Sequence, residues 1–325
     1  MVINMSWGNT QANKTEEVPS KKYDTDYYRD LFQNRRAQSV PLRVSAVGKE
    51  NTAKTGLLVD MFKNALTDLH GKDAMKKQIT IIDVDNSAKA TIDHIYPDLN
   101  IQVLPLHDEF DESIFNEDNT INYVALVDKM NYYINLYAED VNKNPDAHGA
   151  IIIDGCSTFL KWCEHAMTGV LLRRGVIKEE GDSFNQKEWR TRNQLFRDVI
   201  SRVHGLPIPC AGFTFHLKDV SNYVDNGNGG KVLMKIGERP EWEKGTMRYF
   251  SQQIFLTRFS KKGDDGAGVK KDNKLADDQW VVRATIEEMK GKNMEFVGTT
   301  NEILSVSDSK VVWKGLPMLK WGAKK

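Results

Sequence analysis

The pattern of apolar and polar positions changes character at Leu42. From there, short β-branched runs alternate with longer stretches of helical spacing, the signature of a mainly parallel sheet flanked by helices. The runs are LRVSAV (42–47), ITIIDV (79–84), IQVL (101–104), AIIID (150–154) and PCAGFTF (209–215). Between them Ile121, Val124, Ala125, Tyr133, Ile134 and Tyr137 fall near a 3.6-residue period, as do Leu195, Phe196, Val199, Ile200 and Val203, and both sets predict sheet-packing helix faces. Residues 1–40 are polar, carry both charges and cluster Tyr23, Tyr27, Tyr28 and Phe32, which predicts an arm that buries little surface by itself. Two glycine-rich polar segments, VDNGNGGK (224–231) and KKGDDGAGVKKDNK (261–274), read as mobile breaks. Beyond the second, WVVRATIEEM, MEFVG and KVVWKG predict a small C-terminal β extension. The expected organisation is a polar arm over 1–40, an α/β core over 41–260, and a loop with a β extension and basic tail over 261–325.

Charge adds a constraint. With 45 basic and 45 acidic residues in 325, the chain has no whole-molecule attraction to nucleic acid or anionic membrane, so such contacts must come from local patches. Cys156, Cys163 and Cys210 are odd in number and lack C-x-x-C spacing, against both a disulfide framework and a zinc ribbon. No apolar leader opens the chain and no run approaches the roughly 18 apolar residues of a membrane span. The expectation is a cytoplasmic protein with no membrane partner.

The strongest chemical signal is the segment Gly48-Lys49-Glu50-Asn51-Thr52-Ala53-Lys54-Thr55, followed by Gly56. It lies between the strand LRVSAV and the helical pattern KTGLLVDMFKNAL, and it matches G-x-x-x-x-G-K-[ST] except that Ala53 stands at the second glycine. Backbone N–H groups at a helix N-terminus cradle phosphates whatever the side chain, although alanine accepts a positive φ poorly. Lys54 would reach the β and γ phosphates of ATP, and the Thr55 hydroxyl would join the Mg²⁺ shell. Asp154 ends an apolar strand and is the candidate second metal residue, a Walker B carboxylate. Asp85, with Asp83 second, is the candidate general base, the bland alternative being an Asx turn with Asn86. His216 follows the run PCAGFTF, whose strand, coming after the Asp154 strand and its helix, would lie between the Asp154 and Gly48 strands and place His216 near the γ-phosphate as a sensor; the bland alternative is a solvated strand-end histidine.

The order of the loop 48–55, IDVD at 82–85, IIIDG at 151–155, the helix KEWRTRNQLFRDVISRV and FTFH at 213–216 resembles RecA-core AAA-type ATPases of phages and archaeal viruses. That group includes phage single-strand annealing ATPases and is similar in core to RecA-like recombinases. The resemblance covers about 40–260. It implies a RecA-like P-loop NTPase fold, ATP and Mg²⁺ as cofactors, hydrolysis of the β–γ bond, and a homo-oligomeric ring or filament acting on DNA, single-stranded in particular. Recombination, annealing or replication is the first expectation; a packaging motor or a slowly hydrolysing assembly scaffold are the alternatives. Asp85 is one methylene shorter than the family's glutamate. The resemblance also implies DNA-contacting loops over about 169–186 and 217–231. The packaging motor would further require a trans-acting arginine finger, for which Arg173, Arg174, Arg190, Arg192 and Arg258 are all candidates. The tail from Trp313 to Lys325 has cations and aromatics suited to single strands, but reads better as a last strand with a solubilising end.

Overall fold

The computed structural model describes residues 41–108, 110–179, 182–225, 231–260, 280–291, 293–307 and 310–321. The predicted arm, the segment 261–274 and the last four residues lie outside the described residues. Eleven strands are described: β1 (Leu42–Gly48), β2 (Gln78–Asp83), β3 (Ile101–Pro105), β4 (His148–Asp154), β5 (Cys210–Phe215), β6 (Leu217–Asp225), β7 (Lys231–Pro240), β8 (Gln252–Ser260), β9 (Trp280–Met289), β10 (Thr300–Ser307) and β11 (Lys310–Trp313). The α-helices are α1 (Lys54–His70), α2 (Ala88–Ile95), α3 (Tyr123–Lys143), α4 (Cys156–Arg173) and α5 (Gln186–His204).

Nine strands form one sheet in the order β11-β10-β9-β8-β1-β5-β4-β2-β3. Every pair from β8 across to β3 is parallel, and β9, β10 and β11 continue the sheet antiparallel. The fold is therefore α/β with a large, mostly parallel sheet. Helices cover both faces, so the central strands β1 and β4 are buried along their whole length, which is why they read as continuous apolar runs. Alternate residues serve opposite cores. Val44, Ala46, Ile79, Ile81, Ala150 and Ile152 pack with Leu57, Leu58 and Phe62 of α1. Val47, Ile82, Ile151, Ile153 and Phe213 pack with Ile134 of α3, Phe159 of α4 and Phe196 of α5.

Several expectations are corrected. The set of five strands lacks β8, which lies beside β1. The C-terminal strands add to the main sheet through β8, and Met294–Phe296 of the MEFVG run is a 3₁₀ turn. Ile121 precedes α3, bridging to Phe115, and Asn122 caps the helix by accepting from the Ala125 N–H. Of the proposed DNA-contacting loops, 169–173 ends α4 and 217–225 is strand β6, which pairs antiparallel with β7 as a separate two-stranded ribbon. Val224, Asp225 and Lys231 of the glycine-rich segment belong to this ribbon, while 226–230 lies outside the described residues. Tyr223, Leu233, Met234 and Ile236 are exposed on it.

Arg43 sits inside β1 and is nonetheless buried. Its guanidinium donates to the carbonyls of Leu42, His204, Leu206 and Ile208 at 2.9–3.3 Å, tying β1 to the end of α5. Burial pulls its pKa down to about 10, so it remains a cation at neutral pH. The tail folds back on the body: Leu316 and Leu319 are buried and Trp313 and Trp321 pack against the α1 core, so these aromatics serve packing.

Candidate functional site

At the carboxyl ends of β1, β2, β4 and β5 lies a cavity of about 480 Å³. Its wall is the segment Glu50–Gly56 together with Asp85, Ser87, Asp154, Thr158 and His216. Open parallel sheets place ligands at this edge, where successive connections diverge to opposite faces.

The loop between β1 and α1 is built by two close approaches and two unusual backbone conformations. A Cβ at Gly48 would stand 2.8 Å from the Leu256 carbonyl oxygen of β8 and 2.5 Å from Thr52 Oγ1, so only glycine fits there. Asn51 and Ala53 both have positive φ, 56° and 59°. Alanine in this region costs about 1–2 kcal/mol. Replacing Ala53 with glycine should therefore raise the Tm by about 1–3 °C, the relieved strain being partly offset by the freer unfolded chain. Scanning calorimetry checks this, and a lower Tm would contradict the strain.

The N-terminus of α1 has no side-chain cap, and its first residues Lys54, Thr55 and Gly56 belong to the cavity wall. Lys54 is buried, and its Nζ donates to the carbonyls of Gly48 at 3.1 Å and Lys49 at 2.8 Å. Burial lowers its pKa, opposed by the charges of Asp154, Asp85 and Glu50. Gly48 and Lys49, expected among the ligand-contacting residues, do not line the cavity. Their carbonyls hold Lys54, and the Lys49 ammonium turns away to Glu238 of β7 at 2.6 Å and Asp219 of β6 at 3.5 Å.

Across the cavity, Thr55 Oγ1 donates to Asp154 Oδ2 at 2.7 Å, and Thr214 Oγ1 donates to Asp154 Oδ1 at 2.7 Å. Thr214 in turn accepts from the Gly155 N–H at 2.8 Å. Asp154 is 3% exposed, and burial raises its pKa against the two hydroxyl donors that lower it. The pairing Ile153↔Phe213 sets Thr214 opposite Asp154 on the neighbouring strand. A lone threonine in an apolar strand was the available sequence signal for it.

The two aspartates after β2 separate into different roles. Asp83 accepts from the N–H groups of Ser87 at 3.2 Å and Ala88 at 2.8 Å, capping α2, so its carboxylate is engaged in structure. Asp85 reaches the cavity, its side chain 24% exposed, and lies 3.3 Å from His216 Nε2. Burial pushes its pKa up, but hydrogen bonds from His216 and Thr158 and the charges of His216 and Lys54 outweigh this and hold it below its ordinary value of 3.8. Gly155 makes the approach possible: at φ 98° it carries no side chain, and a Cβ there would stand 2.7 Å from the Asp85 carboxylate. His216 is further fixed by its own N–H, which donates to Ser157 Oγ of α4 at 2.9 Å. β5 lies between β1 and β4, as expected for the strand that carries His216.

Lys54, Thr55, Asp85, Asp154 and His216 thus share one cavity. Thr158 also lines it, while Thr214 and Gly155 set Asp154 and Asp85 from behind, and none of the three roles was evident from the sequence. Of the candidate fingers, Arg192 is paired with Glu164 at 3.0 Å and Arg258 stacks on Trp280 at 4.2 Å. No protein-family model matches the chain, and no curated protein matches its sequence.

Proposed function

We propose that this chain binds a nucleoside triphosphate with Mg²⁺ and hydrolyses its β–γ bond, on a P-loop core of RecA-like type. The observation that carries the reading is the convergence, in one cavity, of an uncapped helix N-terminus, a buried lysine, a threonine–aspartate pair and a separate ionised aspartate. Each answers to a different part of a triphosphate. The N–H groups of 52–56 and the helix dipole suit the phosphate oxygens. Lys54 needs only to exchange two carbonyl acceptors for phosphate to become a charge-assisted donor. The Thr55 hydroxyl and Asp154 carboxylate are hard oxygen donors held together, and they fit Mg²⁺, which takes few protein ligands and completes its shell from water and phosphate. Bound there, the ion would neutralise charge developing on the phosphate oxygens. Asp85, ionised at neutral pH, is the group suited to accept a proton from an attacking water, and His216 orients it.

The strand order supports the RecA-like reading, since the His216 strand lies between the loop-bearing and carboxylate-bearing strands. Action on DNA, and assembly as a ring or filament, rest on the resemblance of the ordered motifs. Among the described residues no helix is long and apolar enough to cross a membrane. The three cysteines are free and buried, which supports a reducing cytoplasm as the site of action.

Asp85→Asn tests the chemistry apart from binding. Turnover should fall by about 10²-fold or more, as general-base loss requires, while affinity for a fluorescent ATP analogue stays within about threefold. Because Asp85 is held below its ordinary value, its own protonation should not limit turnover on acidification until the pH falls below that of a free aspartate. Parental turnover in the variant would remove Asp85 from the mechanism.

A further inference from the structure

The buried face of α5, formed by Phe196, Val199, Ile200 and Val203, leaves another stripe of the helix facing outward. That stripe carries Arg190, Gln194, Arg197 and Ser201, spaced i, i+4, i+7 and i+11, and so stacks them on one side of the helix. The turn Thr246–Tyr249 stands beside it and adds Arg248 and Tyr249. Together they line a concavity of about 410 Å³. A second one of about 290 Å³ shares Arg248 and Tyr249 and continues to His204 and Lys290.

Two features distinguish this groove from an ordinary solvated charge run. Arg197 is aimed: its guanidinium is held bidentately by Glu243, Nε at 2.7 Å from Oε2, and the Glu243 side chain is 2% exposed while that of Arg197 is 40% exposed. An exposed arginine with a buried carboxylate behind it has its rotamer chosen before any ligand arrives, which reduces the entropy lost on binding. The groove also has an aromatic surface already used by a planar cation, since the Arg248 guanidinium lies 5.0 Å from the centre of the Tyr249 ring. Asp198 is the acid that lines the first concavity; among the described residues no acid lines the second, although its Lys290 is paired with Glu288 at 3.0 Å.

We infer that this groove binds a single-stranded nucleic acid, with Arg190, Arg197 and Arg248 on backbone phosphates and Tyr249 as the platform for a base. Arg190 and Arg197 are separated by about 10 Å along the helix, roughly three nucleotides of a stacked strand. The concavity suits a few nucleotides of one strand, and a base can stack on Tyr249 only when it is not already paired and stacked within a duplex. The groove borders Pro41 and Arg43 at the start of β1, about 20 Å and one strand length from the loop that follows Gly48. Its cations are therefore spatially separate from Asp85 and Asp154. The inference extends the DNA-directed part of the proposed function without depending on the nucleotide site, so the two fail separately.

Fluorescence anisotropy with a labelled oligothymidylate, without nucleotide or Mg²⁺ and over a salt series, tests it. The parent should bind, with the logarithm of affinity falling against the logarithm of salt at a slope of about −2, as three phosphate contacts require. The double variant Arg190→Glu/Arg248→Glu should lose affinity by about tenfold or more and flatten the slope. Tyr249→Ala should lose about fivefold or more, and Tyr249→Phe should retain binding. Lys54→Ala should bind the oligonucleotide like the parent even where it has lost the nucleotide. Thermal unfolding and nucleotide affinity unchanged in the charge-reversal variant show that its fold is intact. A parent that does not bind the strand, a charge-reversal variant that binds like the parent, or equal binding of a duplex of the same length would each overturn the assignment. So would full displacement of the strand by polyglutamate at equal charge, which points instead to an acidic protein partner.

Discussion

Replacing Lys54 with alanine should lower triphosphate turnover by about 10²–10³-fold and affinity by about tenfold or more. Lys54 is buried beside the cavity with its ammonium on two loop carbonyls, so the cation is already desolvated and positioned before phosphate arrives. A donor aimed at developing charge in a partly dry site contributes more to the transition state than to ground-state binding, hence the larger effect on turnover. Thermal shift separates this loss from damage to the fold. At a ligand concentration 100 times the Kd, binding stabilises the parent by about 2.7 kcal/mol. For a domain of this size that is roughly 5–10 °C. The variant should unfold without ligand close to the parental temperature, because removing a buried cation relieves desolvation while the Gly48 and Lys49 carbonyls lose their partner. It should show little shift at the same ligand concentration. Parental turnover in Lys54→Ala would exclude the loop as the phosphate site.

The parts of this molecule that were legible in the sequence are those fixed by short-range pattern. β1, β2, β4 and β5 are apolar on both faces because helices cover both faces, and a run such as AIIID reports that directly. The loop at 48–55 was legible for a similar reason: strand, loop, lysine, threonine and helix are contiguous, and the backbone geometry needed at Ala53 is local to it. What escaped depends on partners distant in the chain. β8 begins with Gln252 and Gln253, polar residues that are buried because Ser251 and Glu288 satisfy their amides. Nothing local marks them as interior. The ribbon β6–β7 was hidden by the glycines between its strands and by exposed apolar residues that give no burial pattern. Asp83 and Asp85 are equivalent in sequence and were separated by α2, whose first N–H groups engage Asp83. The position of Asp85 depends on Gly155, 70 residues later, having no side chain. Arg43 is the converse case, a charge inside an apolar run that four carbonyls satisfy, so the strand assignment survived a residue that argues against it.

Asp154→Asn should move activity and stability in opposite directions. Loss of the carboxylate removes the charge that would hold Mg²⁺ with Thr55, so metal-dependent turnover should fall by about 10²-fold or more, with weaker dependence on Mg²⁺ concentration. Stability responds to a different property of the same side chain. Burial raises the Asp154 pKa above its unfolded value, so across the window between the two values the folded state binds more proton than the unfolded state. Stability therefore decreases as pH rises through that window, and above it the folded protein bears the full cost of the buried charge. Asparagine has nearly the same shape, cannot ionise, and can still pair with the hydroxyls of Thr55 and Thr214, whose protons rotate to suit an amide. The variant should consequently unfold at a higher temperature than the parent above that window, and the difference should narrow as the pH is lowered into the range where Asp154 itself takes up a proton. Calorimetry at several pH values in the absence of nucleotide and metal measures this directly. A variant less stable than the parent at every pH would mean that the two threonine hydroxyls more than offset the burial of the charge, and would leave the carboxylate with a structural reason to be there. A more stable but inactive variant would identify Asp154 as a residue kept at the expense of the fold, as a group held ready for a cation should be.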